Sequence, residues 1–391
     1  MIKNKILLIE ICNYADYPIG GYLSFAKQMM TAFGDQLALV GMTTDDTPVG
    51  RWVKKEFNGI SYDFFSVRKF EKSSKKPFIP ARLKSYFAVK KYKRQILGIG
   101  IKNVFIQTPE VLFALNDCDL PNLCARIPGV ENPLSISRYW YGKIFSKLFD
   151  YYFFRGLKRA NVILASADKN AITAFLSRGD NIISSDKVIQ FPTRVNTDIF
   201  KPVSKDVART LLGIDSKKKI IATTGRLSSL KGWKFMLECF MKFKIKNPGS
   251  LFMFLGDGED RPIIEEFVKL NNLDYSVFIS GRLSHERLAL YLSAADLYVM
   301  GSYVEGWATS LVEAIACGKP IVCTNFSSSR ELVDHGFNGF ILENRDIESF
   351  VSSIEKCFNI PQENLYFKSC EMHEYSSSKL KSAILSSWLI N

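Results

Sequence analysis

Short runs of Ile, Val, Leu and Phe recur along the chain between segments in which apolar residues have helical spacing. The first half contains KILLIEI, LALVGM, KNVFIQ, NVILAS and KVIQF, and the second half contains KKIIATTG, SLFMFLG, SVFISG, DLYVMG and PIVCT. Continuous apolar strands that alternate with helices are typical of parallel sheets covered by helices on both faces. The pattern therefore predicts an α/β protein with two doubly wound parallel-sheet domains in series.

The stretch FPTRVNTDIFKPVSKD, residues 191–206, interrupts this periodicity with two prolines and several Asn, Asp and Thr residues. We therefore predict an N-terminal domain at 1–196 and a C-terminal domain at 197–375. A last helical segment follows the polar break HEYSSS, and we expect residues 376–391 to cross back to the N-terminal domain.

The composition, with 47% hydrophobic and 23% charged residues over 391 positions, is that of a globular protein of about two domains. The opening MIKNKILLIEICNYADYPIGG has the pattern of a strand that enters a glycine turn rather than that of a signal peptide. The eight cysteines form no C-x-x-C pair and no cluster with histidine. We expect a cytoplasmic protein with reduced thiols and no structural zinc.

The formal net charge of +13 lies in the first half of the chain, where residues 1–196 carry 29 Lys and Arg against 16 Asp and Glu. Two segments of this half mix basic and aromatic residues. Residues 68–94 hold eleven basic residues and one acid. Residues 136–159 place these apolar residues at helical spacing beside six basic ones: Ile136, Tyr139, Trp140, Ile144, Phe145, Leu148, Phe149 and Tyr152.

Both segments allow two interpretations. The aromatic stripe could be core and the charges a solvated face. Alternatively, the segments form a basic, aromatic surface that lies on an anionic membrane. Nucleic acid could use the same charge, but we rank it lower because no nucleic-acid-binding module is present, and we predict no nucleic-acid partner.

In the second half, EGWATSLVEAIACGKP at 305–320 follows a strand that ends near Met300. Ser310 and Glu313 fit a capping box, so Glu313 could simply cap the helix. Capping does not explain Glu305, which lies at the carboxyl end of a strand, where doubly wound sheets bind ligands. Gly306 lets the backbone approach a ligand. The amides at the helix start suit a phosphate, and they belong to Ala308, Thr309, Ser310 and Leu311.

Two further elements are compatible with a phosphate ligand. Arg226 and Lys231 follow the strand KKIIATTG in GRLSSLKGW, where they form either a solvated basic loop or an anion site. Gly20 and Gly21 lie between the first strand and its helix. They form either an ordinary turn or a segment whose backbone faces a phosphate. Acids for a polar ligand together with amides and cations for a phosphate describe a site for a sugar nucleotide.

The order of these motifs resembles the family 4 retaining glycosyltransferases of the GT-B fold. It is carried by Gly20-Gly21, GRLSSLKG, FLGDGED, ELVDHGFNGF and the long segment from ISGRL to GKPIV. The resemblance implies two Rossmann-like domains that face an interdomain cleft, with the acceptor bound by the N-terminal domain at 1–196 and the nucleotide-sugar donor by the C-terminal domain at 197–375. It implies that Glu305 lies against the donor sugar and Glu313 holds the ribose hydroxyls, while Arg226 and Lys231 neutralise the diphosphate.

The resemblance also assigns Leu283, in SGRL, to the nucleobase through its backbone. Gly225 and Trp307 would complete the donor-binding set. We therefore predict Glu305, Arg226 and Lys231 as catalytic, and no metal or other cofactor, because the two cations supply the charge for the leaving group.

The sequence departs from the family pattern at three places. The histidine that many members carry in the first domain is absent, and Pro128 lies in its neighbourhood. SSS at 327–329 replaces the usual Gly-Gly. A formal D-x-D, Asp117-Cys118-Asp119, is a weak match to metal-dependent transferases of the other major fold.

The prediction is a cytoplasmic transferase, peripheral on the inner face of the cell membrane. It would move a hexose-type sugar from a UDP-sugar, or from a GDP-sugar, to a glycan acceptor. The acceptor would be lipid-linked and destined for lipopolysaccharide O-antigen, capsule or exopolysaccharide. The alternatives are a nucleotide-sugar epimerase or hydrolase on the same fold, and a non-catalytic basic protein that binds membrane or nucleic acid.

Overall fold

The computed structural model describes residues 5–18, 20–70, 81–135 and 140–389. The chain forms two compact units, each with its own parallel sheet. Unit 1 consists of Met1–Pro192 together with Ser378–Asn391, and unit 2 consists of Thr193–Ser377. The C-terminal segment is therefore part of unit 1.

Unit 1 contains an eight-stranded sheet in the order β3-β4-β2-β1-β5-β6-β7-β8. Its strands are β1 Ile6–Ile9, β2 Leu37–Thr43, β3 Trp52–Phe57, β4 Ile60–Lys69, β5 Asn103–Ile106, β6 Asn122–Ile127, β7 Val162–Ala165 and β8 Val188–Gln190. All neighbouring pairs are parallel except β3 and β4. The strand order reverses at β1, which pairs with β2 on one side and β5 on the other.

Strands β3 and β4, which form an antiparallel hairpin, were not among the strands predicted from the sequence. The two-residue turn of this hairpin is Asn58-Gly59, with φ of 50° and 76°, a dipeptide that strongly favours tight hairpins. The apolar-run criterion missed β3 because WVKKEF, at the sheet edge, has three consecutive charged residues. The sheet of unit 1 is therefore mostly parallel, as predicted, with one antiparallel pair at its edge.

Helices cover both faces of this sheet. They are α1 Gly21–Phe33, α2 Ala81–Leu97, α3 Pro109–Ala114, α4 Trp140–Leu157 and α5 Lys169–Arg178. Successive residues of β1 enter different cores, since Leu7 and Ile9 pack in one cluster and Ile6 and Leu8 in another. A strand that buries both faces explains why KILLIEI is almost continuously apolar.

Unit 2 contains a six-stranded, all-parallel sheet in the order β11-β10-β9-β12-β13-β14. Its strands are β9 Ile220–Thr224, β10 Leu251–Leu255, β11 Val277–Ile279, β12 Leu297–Met300, β13 Ile321–Thr324 and β14 Gly339–Leu342. Its helices are α6 Lys205–Leu212, α7 Trp233–Lys246, α8 Arg261–Leu270, α9 His285–Ala294, α10 Thr309–Ala316, α11 Ser329–Leu332, α12 Ile347–Cys357 and α13 Gln362–Glu371.

The C-terminal segment packs into the core of unit 1. It forms α14, Leu380–Ile384, and a short π-helix over Leu385–Leu389. The side chain of Trp388 is buried, and its indole Nε1 donates a 2.7 Å hydrogen bond to Oδ1 of Asn122 at the start of β6. In the described part of the chain, no helix combines the length and the apolar character needed to cross a bilayer.

Candidate functional site

The loops at the carboxyl ends of β9, β10 and β12 pack against one another through their backbones. A Cβ atom on Gly232 would lie 1.9 Å from the carbonyl oxygen of Gly301, and one on Gly256 would lie 2.0 Å from that of Gly225. Gly232 also has a φ of 69°, which glycine adopts at little cost. These positions need glycine, and the resulting close packing fixes the loop that carries Lys231.

Lys231 and Glu305, two of the predicted catalytic residues, form an ion pair. The distance from Nζ of Lys231 to Oε1 of Glu305 is 2.5 Å, and the side chains are 28% and 13% exposed. Lys231 ends a single 3₁₀ turn just before α7, and Glu305 lies in the loop between β12 and α10. The structure thus joins a cation from one loop and an acid from another at the same edge of the sheet.

Arg226, the third predicted catalytic residue, points elsewhere. Its side chain is 73% exposed and its Nε atom lies 2.8 Å from Oε2 of Glu259. Gly225 is the member of this loop that adjoins Lys231, since a Cβ atom there would lie 3.9 Å from Cε of Lys231. The prediction that Arg226 and Lys231 together neutralise the diphosphate of a donor stays a prediction.

Glu313 lies in α10 and does not cap the helix. The N-cap position is Ala308, with no side-chain hydrogen bond, so the capping-box interpretation was wrong. Burial raises the pKa of Glu313 to about 8. Within the described ranges its carboxylate has no hydrogen bond or ion pair, although it lies close enough to Tyr298 to contribute to that phenol's raised pKa. Glu313 is thus an acid with free acceptor capacity.

Two of the four predicted phosphate-facing amides are already bonded. The amide of Ala308 donates to Oγ of Ser328 at 3.0 Å, and the amide of Leu311 donates to the carbonyl of Ala308 at 3.0 Å. The amides of Thr309 and Ser310 have no partner among the residues that the structure describes. The expectation of free amides from Ala308 to Leu311 is therefore corrected to Thr309 and Ser310.

Ser328 is a site residue whose role the sequence did not reveal. It is the middle serine of the SSS that departs from the family's Gly-Gly, and it is fully buried. Its hydroxyl occupies the Ala308 amide and so ties the start of α10 to the segment before α11. The departure from the family pattern was the signal, but the sequence gave no partner for the hydroxyl.

The remaining predicted donor-binding residues have different surroundings. Trp307 is buried, with its ring centroid 5.5 Å from that of Tyr375, so its side chain belongs to the core. Leu283 is partly buried and lies two residues before α9, and Gly306 follows Glu305 in its loop. Gly20 and Gly21 lie in unit 1 at the start of α1, and nothing would lie within 4 Å of an added Cβ atom on either.

Groups of three or more His, Cys, Asp or Glu that could hold a metal are absent from the described residues. In the formal D-x-D, Asp117 forms an ion pair with Lys93. The prediction that no metal is required stays a prediction.

One family of known proteins matches part of unit 2. Residues 204–371 match the family Glycosyl transferases group 1. The 2-deoxystreptamine N-acetyl-D-glucosaminyltransferase of Niallia circulans is 30% identical over 139 residues, which are 36% of this chain and 36% of that protein. The UDP-Gal:alpha-D-GlcNAc-diphosphoundecaprenol alpha-1,3-galactosyltransferase of Escherichia coli is 28% identical over 197 residues, 47% of this chain and 48% of that protein. The matches thus span less than half the length of these relatives.

The fold extends further than the sequence similarity. Sucrose-phosphate synthase of Thermosynechococcus elongatus superimposes with a TM-score of 0.77 at 17% identity, over 99% of both chains. The predicted GT-B class, with two doubly wound parallel-sheet domains, is confirmed. Residues 204–371, which lie in unit 2, therefore match the glycosyl transferases group 1, and the whole chain has a GT-B fold.

Proposed function

We propose that this chain is a retaining glycosyltransferase that moves a sugar from a nucleotide diphosphate donor to a hydroxyl group of a glycan acceptor. The observation that carries the proposal is the Lys231–Glu305 ion pair, at 2.5 Å, in the segment that matches glycosyl transferases group 1. A cation held at the carboxyl edge of a parallel sheet is placed to meet a phosphate, and its acidic partner is placed to meet a sugar hydroxyl.

Each group has a distinct task in this proposal. Lys231 stabilises the charge that develops on the departing diphosphate, and the free amides of Thr309 and Ser310 add donors at the start of α10. Glu313 forms hydrogen bonds with the ribose hydroxyls, for which its carboxyl group, without a partner among the described residues, is suited. Glu305 contacts the sugar. Arg226 would leave Glu259 and turn toward the diphosphate when the donor binds.

The reaction would proceed with retention and without a metal. The bond from the anomeric carbon to the diphosphate oxygen breaks while the acceptor oxygen bonds to the same face of the sugar. The acceptor proton passes to the departing diphosphate oxygen. The cation and the amides supply the electrostatic stabilisation that a divalent ion supplies in other transferases.

The donor proposed is a UDP-sugar, with a GDP-sugar as the second candidate. The name of the Escherichia coli relative specifies UDP-Gal as its donor and a lipid-linked diphosphate sugar as its acceptor. By that similarity we propose a lipid-linked acceptor and a role in the synthesis of a surface polysaccharide.

A thermal-shift screen tests the donor site. Purified protein is heated with UDP, GDP, ADP or dTDP, with and without EDTA, and compared with Glu313→Ala and with Glu363→Ala, an exposed acid at the start of α13. We expect UDP to raise the melting temperature of wild type and Glu363→Ala, but not of Glu313→Ala, regardless of EDTA. A stabilising nucleotide that requires a metal would contradict the metal-free site, and no shift with any nucleotide would favour the non-catalytic alternative.

The second part of the proposal is attachment to an anionic membrane through α4. Five large apolar side chains of this helix are at least half exposed, namely Ile144, Phe145, Leu148, Tyr151 and Tyr152. Phe153 and Phe154 of the same helix are buried. The aromatic stripe is thus divided between core and surface. Ile136, Arg138, Tyr139 and the side chain of Trp140 lie outside the described residues.

Basic residues accompany these exposed apolar side chains. Lys143, Lys147 and Arg155 of α4 are exposed. On α2, Phe87 is 59% exposed among exposed Lys84, Lys90, Lys91 and Arg94, and residues 71–80 of this basic segment lie outside the described ranges. Exposed aromatic side chains can insert between lipids, and the neighbouring cations attract acidic headgroups. Together these features favour a peripheral position on the cytoplasmic leaflet.

A further inference from the structure

Unit 2 has a cavity of about 460 Å³ at the edge of its sheet opposite to Lys231 and Glu305. Two of the residues that line it are Asp296, which directly precedes β12, and Lys319, which lies two residues before β13. The segment that leads into α6 and the start of α13 line it as well. A cavity of this volume can hold a small molecule, and none of the predicted site residues lines it.

Lys319 places a buried positive charge beside this cavity. It is 8% exposed, and its Nζ atom donates to the carbonyl oxygens of Ser293 and Ala295 at 2.9 and 3.0 Å. These carbonyls belong to the end of α9, so two protons of the ammonium group cap a helix. Within the described ranges the third proton has no partner, and no carboxylate forms an ion pair with Lys319.

The charged groups around the cavity have an excess of positive charge. Nζ of Lys205 lies 2.8 Å from Oδ1 of Asp296, and Nη2 of Arg209 lies 2.8 Å from Oδ2. Oδ2 also accepts a 2.7 Å hydrogen bond from the amide of Ile220. Of the described residues that line the cavity, Asp296 is the single acid. Together with Lys319, three cations therefore share one carboxylate, which leaves two positive charges without a counter-ion.

The same groups act on the pKa of Lys319. Burial lowers this pKa to about 8, Lys205 and Arg209 lower it as well, and Cys317 and Asp296 oppose the shift. A buried cation without a counter-ion is unfavourable, which is the physical cause of the lowered pKa. At neutral pH most of the Lys319 side chains are still charged. An anion in the cavity would supply the counter-ion that the chain does not.

The remaining lining residues combine polar groups with apolar surface. Ser204 is the N-cap residue of α6, but its side chain makes no cap hydrogen bond, and Gln362 is exposed at the start of α13. Both side chains are therefore available to a ligand. Val203 and Tyr366 are exposed apolar side chains of the same lining. The cavity thus suits a ligand with a charged group and an apolar body.

We propose that this cavity binds a small organic phosphate monoester, with its phosphate group at Lys319 and Lys205 and its apolar body against Tyr366. A phosphate monoester carries nearly two negative charges at neutral pH, which matches the two positive charges that lack a counter-ion. A carboxylate would supply only one. The proposal does not depend on the proposed function, because the cavity and the Lys231–Glu305 pair lie at opposite edges of the sheet.

Isothermal titration calorimetry on the full chain tests this site, with phenyl phosphate, inorganic phosphate and phenol as probes. Lys319→Met nearly preserves side-chain volume and removes the buried charge. Lys205→Gln is the second variant. It should fold, because Lys205 is 47% exposed and Asp296 keeps its pairing with Arg209. Circular dichroism verifies that each protein is folded.

Three further variants locate the bound phosphate. Lys269→Gln changes an exposed lysine of α8 and is the matched control. Lys231→Ala removes the cation of the proposed donor site, so it reveals any phosphate that binds there instead. Tyr366→Ala removes an exposed apolar ring of the cavity lining.

We expect phenyl phosphate to bind wild type, Lys269→Gln and Lys231→Ala with equal affinity. Its affinity should fall at least about tenfold in Lys319→Met, and about threefold in Lys205→Gln, whose charge is more exposed to solvent. Tyr366→Ala should weaken the binding of phenyl phosphate but not that of inorganic phosphate. Inorganic phosphate and phenol should each bind wild type more weakly than phenyl phosphate does.

Equal binding of phenyl phosphate to wild type and to the Lys205 and Lys319 variants would overturn the proposal, and so would the absence of binding to wild type. Loss of binding in Lys231→Ala alone would overturn it too, because the phosphate would then lie at the donor site. If Lys319→Met does not fold, Lys205→Gln and Tyr366→Ala decide the outcome. The UDP thermal shift reports on the donor site separately, so failure of one proposal is distinguishable from failure of the other.

Discussion

The proposed function depends most strongly on the position and charge of Lys231. Its stem adjoins Gly225 and its ammonium group is held by Glu305. An ammonium group has three protons, so it can keep Glu305 and still donate to a phosphate oxygen. This arrangement positions the cation before the donor arrives, which is the condition for stabilising a transition state rather than merely binding a substrate.

Lys231→Ala should lower kcat more than it raises the donor KM, because its charge acts mainly on the departing diphosphate. The expected loss in kcat is on the order of a hundredfold. Steady-state kinetics with varied donor measure both constants. Lys269→Ala, on an exposed lysine of unit 2, should leave both unchanged. An unchanged kcat for Lys231→Ala would remove this residue from the catalytic set.

Glu313 should also make the stability of the protein depend on pH. Its pKa rises from 4.5 to about 8 on folding because burial disfavours the ionised form. Between these two values the unfolded chain releases the proton and the folded chain keeps it. The contribution of Glu313 to stability is therefore complete below pH 4.5 and is lost as the pH approaches 8.

Glu313→Gln cannot ionise and should escape this loss. The melting temperature of the variant minus that of wild type should increase steadily from pH 5 to about 8 and then level off. Thermal denaturation across this range, without nucleotide, gives the difference. Glu56→Gln, which changes an exposed acid, should show a nearly constant difference. A constant difference for Glu313→Gln would mean that the carboxyl group ionises normally.

Site residues differ in how well the sequence predicts them. The motif assigned Glu305 to the sugar and Lys231 to the diphosphate of one ligand, and the structure pairs their side chains. It could not predict that Ser328 occupies the amide of Ala308, because that contact joins residues 20 positions apart through a side-chain hydroxyl.

At the scale of elements, helix α4 tests the membrane proposal. Its exposed apolar residues would be unfavourable in water unless a partner covers them, and basic residues on the same helix indicate an anionic partner. Replacing Phe145 and Leu148 by Ser removes inserted apolar surface without touching the buried Phe153 and Phe154.

The Phe145→Ser, Leu148→Ser variant should bind vesicles that contain phosphatidylserine at least about tenfold more weakly than wild type, because each lost side chain removes roughly 1 to 2 kcal/mol of burial. Sedimentation with vesicles, with and without acidic lipid, measures the binding. Leu270→Ser, which changes a 74% exposed leucine of unit 2, is the control. Equal sedimentation of the variant and wild type would rule out α4 as the contact.

Elements were predicted best where both faces are buried. The continuous apolar runs of β1, β9 and β12 identified their strands, whereas polar residues interrupt β3 and β4, which were missed. Helix α10 was predicted, but the cap at its start was not. The capping-box pattern requires Ser310 at the N-cap, and the chain instead enters the helix from Ala308, which the hydroxyl of Ser328 holds.

At the scale of the whole molecule, the excess positive charge and the match to a known family lie in different parts of the chain. The excess of basic residues lies in the first half, whereas the match to glycosyl transferases group 1 lies in unit 2. The fold class could be predicted from periodicity and motif order, since two βα series leave few alternatives. The identity of the acceptor could not, because it depends on contacts in the half without a recognisable motif.

Transfer of labelled sugar tests the central claim most directly. The protein is incubated with radiolabelled UDP-glucose, UDP-galactose or UDP-N-acetylglucosamine and with a lipid extract from the source organism's membranes. We expect label from one donor to enter the organic phase, to require the extract, to persist in EDTA and to be lost in Lys231→Ala. Release of free sugar at the same rate without the extract would identify a hydrolase, and no consumption of any nucleotide sugar would contradict the proposal that this chain is a glycosyltransferase.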